Sequence, residues 1–251
     1  MLFILRINNL FPSFSSFNSE NHKLSIMEIK KLALATVTTI YTEKQFAKFI
    51  LENPDKDSSP YIQVVDNLKR GEKCAFEING ILPPRSIAVL PNEKEVEIGY
   101  VLFLLNSYST QYDLFDHKMN VLNHVLLNKK KLSSLTIPVI EKKEQRYYNI
   151  ARIFKDNAEE LLKDPSKDIH MAELSYGLFA NLCDSLAIEL YFDDYLYENG
   201  VEIFKYWKEN VDKYLDTDNT DKFFRSLFDQ SSELRNQLMK LRMIPADQVK
   251  D

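Results

Sequence analysis

The stretch from Tyr100 to Ile150 constrains the fold of this chain more than any other. It begins with YVLFLLNS, a dense apolar block closed by Asn106 and Ser107, whose side chains compete for backbone hydrogen bonds and so favour a helix end. A buried helix fits this pattern, although a buried strand of the same length has the same run of apolar residues. Next comes a polar, basic connection ending in Lys129, Lys130 and Lys131. Leu135 to Val139 (LTIPV) is short and β-branched, and Pro138 lacks the N–H that a central ladder needs, so an edge strand or extended connector is expected. From Glu141 the chain becomes helix-prone, with Tyr147, Ile150 and Phe154 at helical spacing.

Around this stretch the elements sort by position. Leu34 to Tyr41 reads as a strand, Glu43 to Leu51 as a helix and Asn53 to Pro60 as a polar loop. Tyr61 to Asp66 reads as a strand, and Ile81 to Pro91 as a second strand bounded by prolines. Beyond residue 150 the pattern is helical throughout. Leu174, Leu178, Leu182, Leu186 and Leu190 recur at four-residue steps and suggest a buried stripe, while Phe224, Leu227, Ser231, Leu234, Leu238 and Leu241 suggest a helix docking on a neighbouring or partner helix. The expected class is α+β: a small, mixed, twisted sheet over 28–150, then an all-helical region over 151–251.

Charge divides the chain the same way. Residues 27–150 carry 17 Lys/Arg against 15 Asp/Glu, and residues 151–251 carry 13 against 21. Lys118, Lys129, Lys130, Lys131, Lys142, Lys143 and Arg146 cluster in 115–146 against Asp116, Glu141 and Glu144. Phosphate binding needs such a local excess whatever the total charge, and a solvated loop explains the lysines equally well. With only five glycines, Gly-rich phosphate loops are disfavoured. Cys74 and Cys183 stand apart without metal-ligand spacing and read as buried thiols, which fits a reducing, cytoplasmic setting. Residues 1–26 lack the charged and long apolar regions of a signal peptide, and their apolar run, interrupted by Arg6 and two asparagines, is too short to span a bilayer. They read as a disordered or mis-started extension, with Met27 as the start.

The order LNS, polar run, LSSLTIPVIEKKEQ resembles the end of a target recognition domain from the DNA specificity subunits of type I restriction–modification systems. Leu132, Leu135, Ile137, Pro138, Glu144 and Gln145 carry the likeness, and Ile140 stands where the family has a second proline. Met27 onward resembles the opening of such a domain, with Ala33-Leu34 in place of Gly-Asp. The run YIQVVDNLKRG resembles its Y-I-x-V-x-D-L-K-x-G segment, with Asn67 inserted. In the helical region, Glu189, Leu190, Tyr191 and Phe192 resemble a motif of restriction-system methyltransferase tails, so the specificity region of a type IIG-like adenine methyltransferase is similar too.

The resemblance implies a non-catalytic DNA-recognition protein. Its front domain would read double-stranded DNA, and its helices would dock a methyltransferase subunit or form a homodimer, without cofactor, metal or membrane. Side chains able to make directional groove contacts are Gln63, Asn67, Arg85, Asn120, Asn123 and His124. Candidate phosphate binders are Lys69, Arg70, Lys118, Lys129, Lys130, Lys131 and Arg146. The only Pro-Pro pair, Pro83-Pro84, lies between Leu82 and Arg85, which does not fit an adenine-methylation motif. Two alternatives stand beside this reading: a helical adaptor that binds no DNA, and a metal-dependent nuclease drawing on Pro54-Asp55 with Glu141 and Lys143.

Overall fold

The computed structural model describes residues 28–251 apart from 117, 119–120, 165, 167, 216–222, 224–225, 228, 230 and 245–251. The extension over 1–26, Met27, Asn120 and Phe224 thus lie outside the described residues. The described chain forms two compact units that divide between Ala187 and Ile188. The fold is α+β, and the first unit extends past residue 150, where the sequence places the domain limit.

The first unit is built on a four-stranded sheet. Its strands are β2 (Thr38–Thr42), β3 (Tyr61–Val65), β5 (Ala75–Ile78) and β6 (Ser86–Pro91), in the order β2-β6-β3-β5. Short pairs flank it: β1 (Lys30–Ala33) with β8 (Thr136–Val139), and β4 (Asn67–Lys69) with β7 (His124–Leu126). Every pairing is antiparallel, which corrects the expectation of a mixed sheet. A parallel neighbour needs a crossover of a dozen residues or more, and the connections from β3 to β5 and from β5 to β6 are too short to hold one. The expected strand over Leu34 to Tyr41 is interrupted by a helical turn, α1 (Leu34–Val37), before β2.

Helix α2 (Glu43–Glu52) starts where the Gln45 side chain accepts a hydrogen bond from the Thr42 N–H at 3.1 Å. Its Phe46, Phe49 and Ile50 cover one face of the sheet, packing on Tyr41, Tyr61, Leu82 and Ala88. The alternate residues Ile62, Val64, Ile87 and Val89 are buried as well, and α3 (Ile98–Leu105) contacts β3, β5 and β6. Residues Gly99 to Leu105 of α3 are all buried, as expected for a helix apolar all round.

The motif residues do structural work at both ends of this layer. The Asn106 side-chain oxygen accepts from the N–H groups of Cys74 (2.9 Å) and Ala75 (3.0 Å), and its amide donates to the Ala75 carbonyl at 2.8 Å. Ser107 caps the next helix, α4 (Tyr108–Leu114), by accepting from the Thr110 N–H. Helix α6 (Lys142–Lys163) carries the fully buried Gln145. This side chain accepts from Glu97 N–H at 2.7 Å and donates to the carbonyls of Glu95 and Ile140 at 3.0 Å. A short helix, α5 (Lys129–Ser134), precedes β8.

Helix α7 (Ile169–Tyr191) runs from the first unit into the second. The predicted leucine stripe is only half right: Leu182, Leu186 and Leu190 are buried, whereas Leu174 is 59% exposed. A four-residue step advances about 40° beyond a full turn, so five such residues drift around the helix. Ala172 and Phe179 take the buried positions instead, and Phe179 stacks on Phe154 with ring centroids 5.1 Å apart. The second unit contains α8 (Asp193–Glu198), α9 (Ile203–Asn210) with a following π turn, and α10 (Glu233–Met243); Trp207 and Phe223 are fully buried, their ring centroids 5.7 Å apart. Leu234 and Leu238 are buried, and α10 contacts α9. Leu227 and Leu234 do not share one helix, because Asp229 accepts from Ser231 in a turn and Ser232 caps α10.

Candidate nucleic-acid interface

The two-stranded ribbon β4–β7 gathers residues distant in sequence. Lys69 lies opposite His124, Leu68 opposite Val125, and Asn67 opposite Leu126. The pairing is extended at one end by Arg70 N–H donating to the Asn123 carbonyl (3.0 Å) and at the other by Leu127 N–H donating to the Asp66 carbonyl (2.6 Å). Alternation sends Leu68 inward, where it is fully buried, and leaves Lys69, His124 and Leu126 exposed on the other face. The Lys118 carbonyl accepts from Val121 and Leu122 N–H at 2.9 Å, closing the turn that leads into β7.

Cations surround this ribbon. Arg85 sits at its root with φ 59°, its Nε 3.4 Å from Asp66 Oδ2 and its N–H donating to Glu43. Lys69 lies 3.6 Å from Glu72, and the Gln111 amide holds the Glu72 carbonyl at 2.9 Å. The triple lysine, expected in an irregular connection, forms the first turn of α5. Asn128 caps it by accepting from the Lys131 N–H at 2.9 Å. Three cations in a first turn oppose the helix dipole, and two of them find local acceptors. Lys131 Nζ is 2.8 Å from Asp116 Oδ2, and Lys129 Nζ donates to Gln45 Oε1 at 2.9 Å. Lys130 is exposed. The Lys131–Asp116 pair lies near the surface, where an ion pair is worth about 0–1 kcal/mol, so an incoming phosphate can compete with it.

Lys69, Arg70, Asn123 and His124 are therefore brought together, with Arg85, Lys118, Lys129, Lys130 and Lys131 on adjoining segments. Two predicted contacts, the base reader Gln63 and the phosphate binder Arg146, fall elsewhere. Gln63 is in the central strand β3 and donates to Ser86 Oγ at 2.8 Å. Arg146 lies on α6, stacked over the Tyr147 ring at 4.6 Å and bonded to the Tyr147 hydroxyl at 2.8 Å. Asn67 is on the ribbon but half-buried, and its side-chain oxygen lies in the interior without a hydrogen-bond partner. The sequence reading missed the exposed apolar residues Val121, Leu122 and Leu126, whose only signal is the pair of short apolar runs on either side of Asn123-His124 in VLNHVLL.

The other titratable groups are dispersed. Burial pushes the Asp113 carboxyl up to about 7, and that of Asp184 to about 6 despite the nearby Lys155. Glu189 rises to about 8 through burial, although the N–H groups of Phe204 (2.7 Å) and Ile203 donate to it. Both cysteines are free and buried, with thiols pushed up to about 12. Among the described residues no three His, Cys, Asp or Glu side chains are grouped to hold a metal ion, and no helix is long and apolar enough to cross a membrane. Glu141 pairs with Lys143 at 2.6 Å on the surface. No protein-family model matches the chain, and no curated protein or solved structure is significantly similar to it.

Proposed function

We infer that the chain is a DNA sequence-recognition protein of a restriction–modification system, acting without catalysis of its own. The observation that supports this most is the β4–β7 pairing, which brings Lys69 and His124 together on one exposed face, with Arg70 and Asn123 at the end of the ribbon and Lys118 and the α5 lysines on adjoining segments. A two-stranded ribbon fits the major groove of B-form DNA, where base edges are read while flanking cations hold phosphates. Asn123 and His124 are the base readers in this scheme. Lys69, Arg70, Lys118, Lys129, Lys130 and Lys131 bind the backbone, with Arg85 at the ribbon's root. The helical region then docks a methyltransferase subunit or a second copy of the chain, in the cytoplasm.

The test is a titration of duplex DNA at several salt concentrations with wild type and the Lys129/Lys130/Lys131→Ala variant. Each lost phosphate contact lowers the log–log salt slope by about 0.9. An expected fall of one to three contacts supports the assignment, and an unchanged slope removes the lysines from the interface. The adaptor reading keeps one observation in its favour: Ile169, Met171 and Leu174 are exposed on α7. Capture of the methyltransferase without any DNA binding would favour it.

A further inference from the structure

Leu126 and Val121 are an anomaly on the ribbon. They are 64% and 81% exposed: Leu126 shares a ribbon face with Lys69 and His124, and Val121 lies in the turn closed on the Lys118 carbonyl. Leu126 is in β7 two residues from His124, so both side chains project from the same face of the ribbon, opposite Asn67 and Lys69 respectively. Val121 is in the turn that opens this strand. Exposed aliphatic groups on a segment that also carries exposed cations suit a ligand that is anionic overall and carries apolar points. An apolar protein patch would not call for the cations, and a phosphate chain alone would not call for the aliphatic groups.

Resting on the DNA-recognition reading above, we propose that Leu126 and Val121 recognise thymine through its 5-methyl group in the major groove. That methyl is the only apolar group the base edges present there, and aliphatic side chains contact it directly. Lys69, Arg70 and Lys118 hold the flanking phosphates, while His124 offers a ring nitrogen to a neighbouring base edge. Specificity at these positions then comes from apolar contact, with hydrogen bonding left to Asn123 and His124.

The experiment uses the full chain and a duplex recovered by binding selection from a random pool, resynthesised with uracil at each thymine position in turn. Uracil keeps every hydrogen-bonding group and phosphate and removes only the methyl. Wild type should bind about four-fold more weakly for each contacted methyl removed, the loss expected for one buried methyl-sized group. Leu126→Ser and Val121→Ser should weaken thymine duplex binding to the uracil level, stop distinguishing the two, and leave the salt slope unchanged. Equal wild-type binding to thymine and uracil duplexes overturns the inference while leaving DNA recognition intact. Failure to bind any duplex at low salt overturns the DNA-recognition reading and this inference together.

Discussion

Gly99 is the tightest point between α3 and α6. A Cβ built at residue 99 would sit 2.2 Å from Asn149 Cγ and Oδ1, against ordinary contacts of 3.4–4 Å. Gly99→Ala must therefore move Asn149 by more than 1 Å or separate the helices. Rotating Asn149 breaks the bonds its oxygen accepts from Arg152 Nε (3.1 Å) and Nη2 (2.9 Å). Overpacking of this kind costs about 1–3 kcal/mol, while the better helix propensity of alanine returns up to about 1 kcal/mol. The net expectation is a loss of about 1–2 kcal/mol, opposite in sign to the gain of an unobstructed glycine-to-alanine change. Adding Asn149→Ala removes the obstruction, so the double variant should recover most of the loss and give a coupling energy of about 1–3 kcal/mol. The assay must report on the first unit. The only tryptophan, Trp207, lies in the second, so amide exchange of Val101 to Leu105 under mild denaturant is the suitable readout. A Gly99→Ala protein as stable as wild type, or no recovery in the double variant, would refute the close-packing argument.

Gln145→Leu leaves the Glu97 N–H and the Glu95 and Ile140 carbonyls without their partner and should cost several kcal/mol, at about 1–3 kcal/mol per buried orphan group, seen as a lowered denaturation midpoint. Asn106→Ala should act similarly on Cys74 and Ala75, and an unchanged midpoint in either variant would contradict the stapling role. Glu189 holds its proton more tightly when folded, at about 8 against 4.5 unfolded. Its contribution to stability is thus complete below pH 4.5 and is lost as pH rises through about 8. Melting of the second unit, followed by Trp207 fluorescence, should fall over that window in wild type and flatten in Glu189→Gln. Asn128→Ala removes the cap on α5 and should destabilise the Lys129–Lys131 turn by about 1 kcal/mol, visible as faster amide exchange at Lys131.

What could be read from the sequence depended on how far apart the partners lie along the chain. Helix α3 was legible as a buried element because every residue from Gly99 to Leu105 is buried, while the uninterrupted apolar run by itself left helix and strand both open. Strand β8 was legible because Pro138 and β-branched neighbours act locally. The β4–β7 ribbon was not: its strands have three residues each and meet across more than fifty residues of chain, and nothing in Asn67-Leu68-Lys69 names His124-Val125-Leu126 as its partner. The Gly99–Asn149 contact was invisible for the same reason. The same division decides what the family resemblance means. Asn106 and Gln145, which carry part of it, spend their side chains on backbone groups that join α3 to β5 and α6 to the loop before α3. Matches at such positions speak to how the chain is pinned together, since function resides in the site a fold presents. The ribbon's outer face depends on Lys69, His124 and Leu126, and of these only Lys69 falls in a motif. Binding experiments aimed at that face will therefore decide between DNA recognition and a helical adaptor more sharply than any further likeness at Asn106 or Gln145.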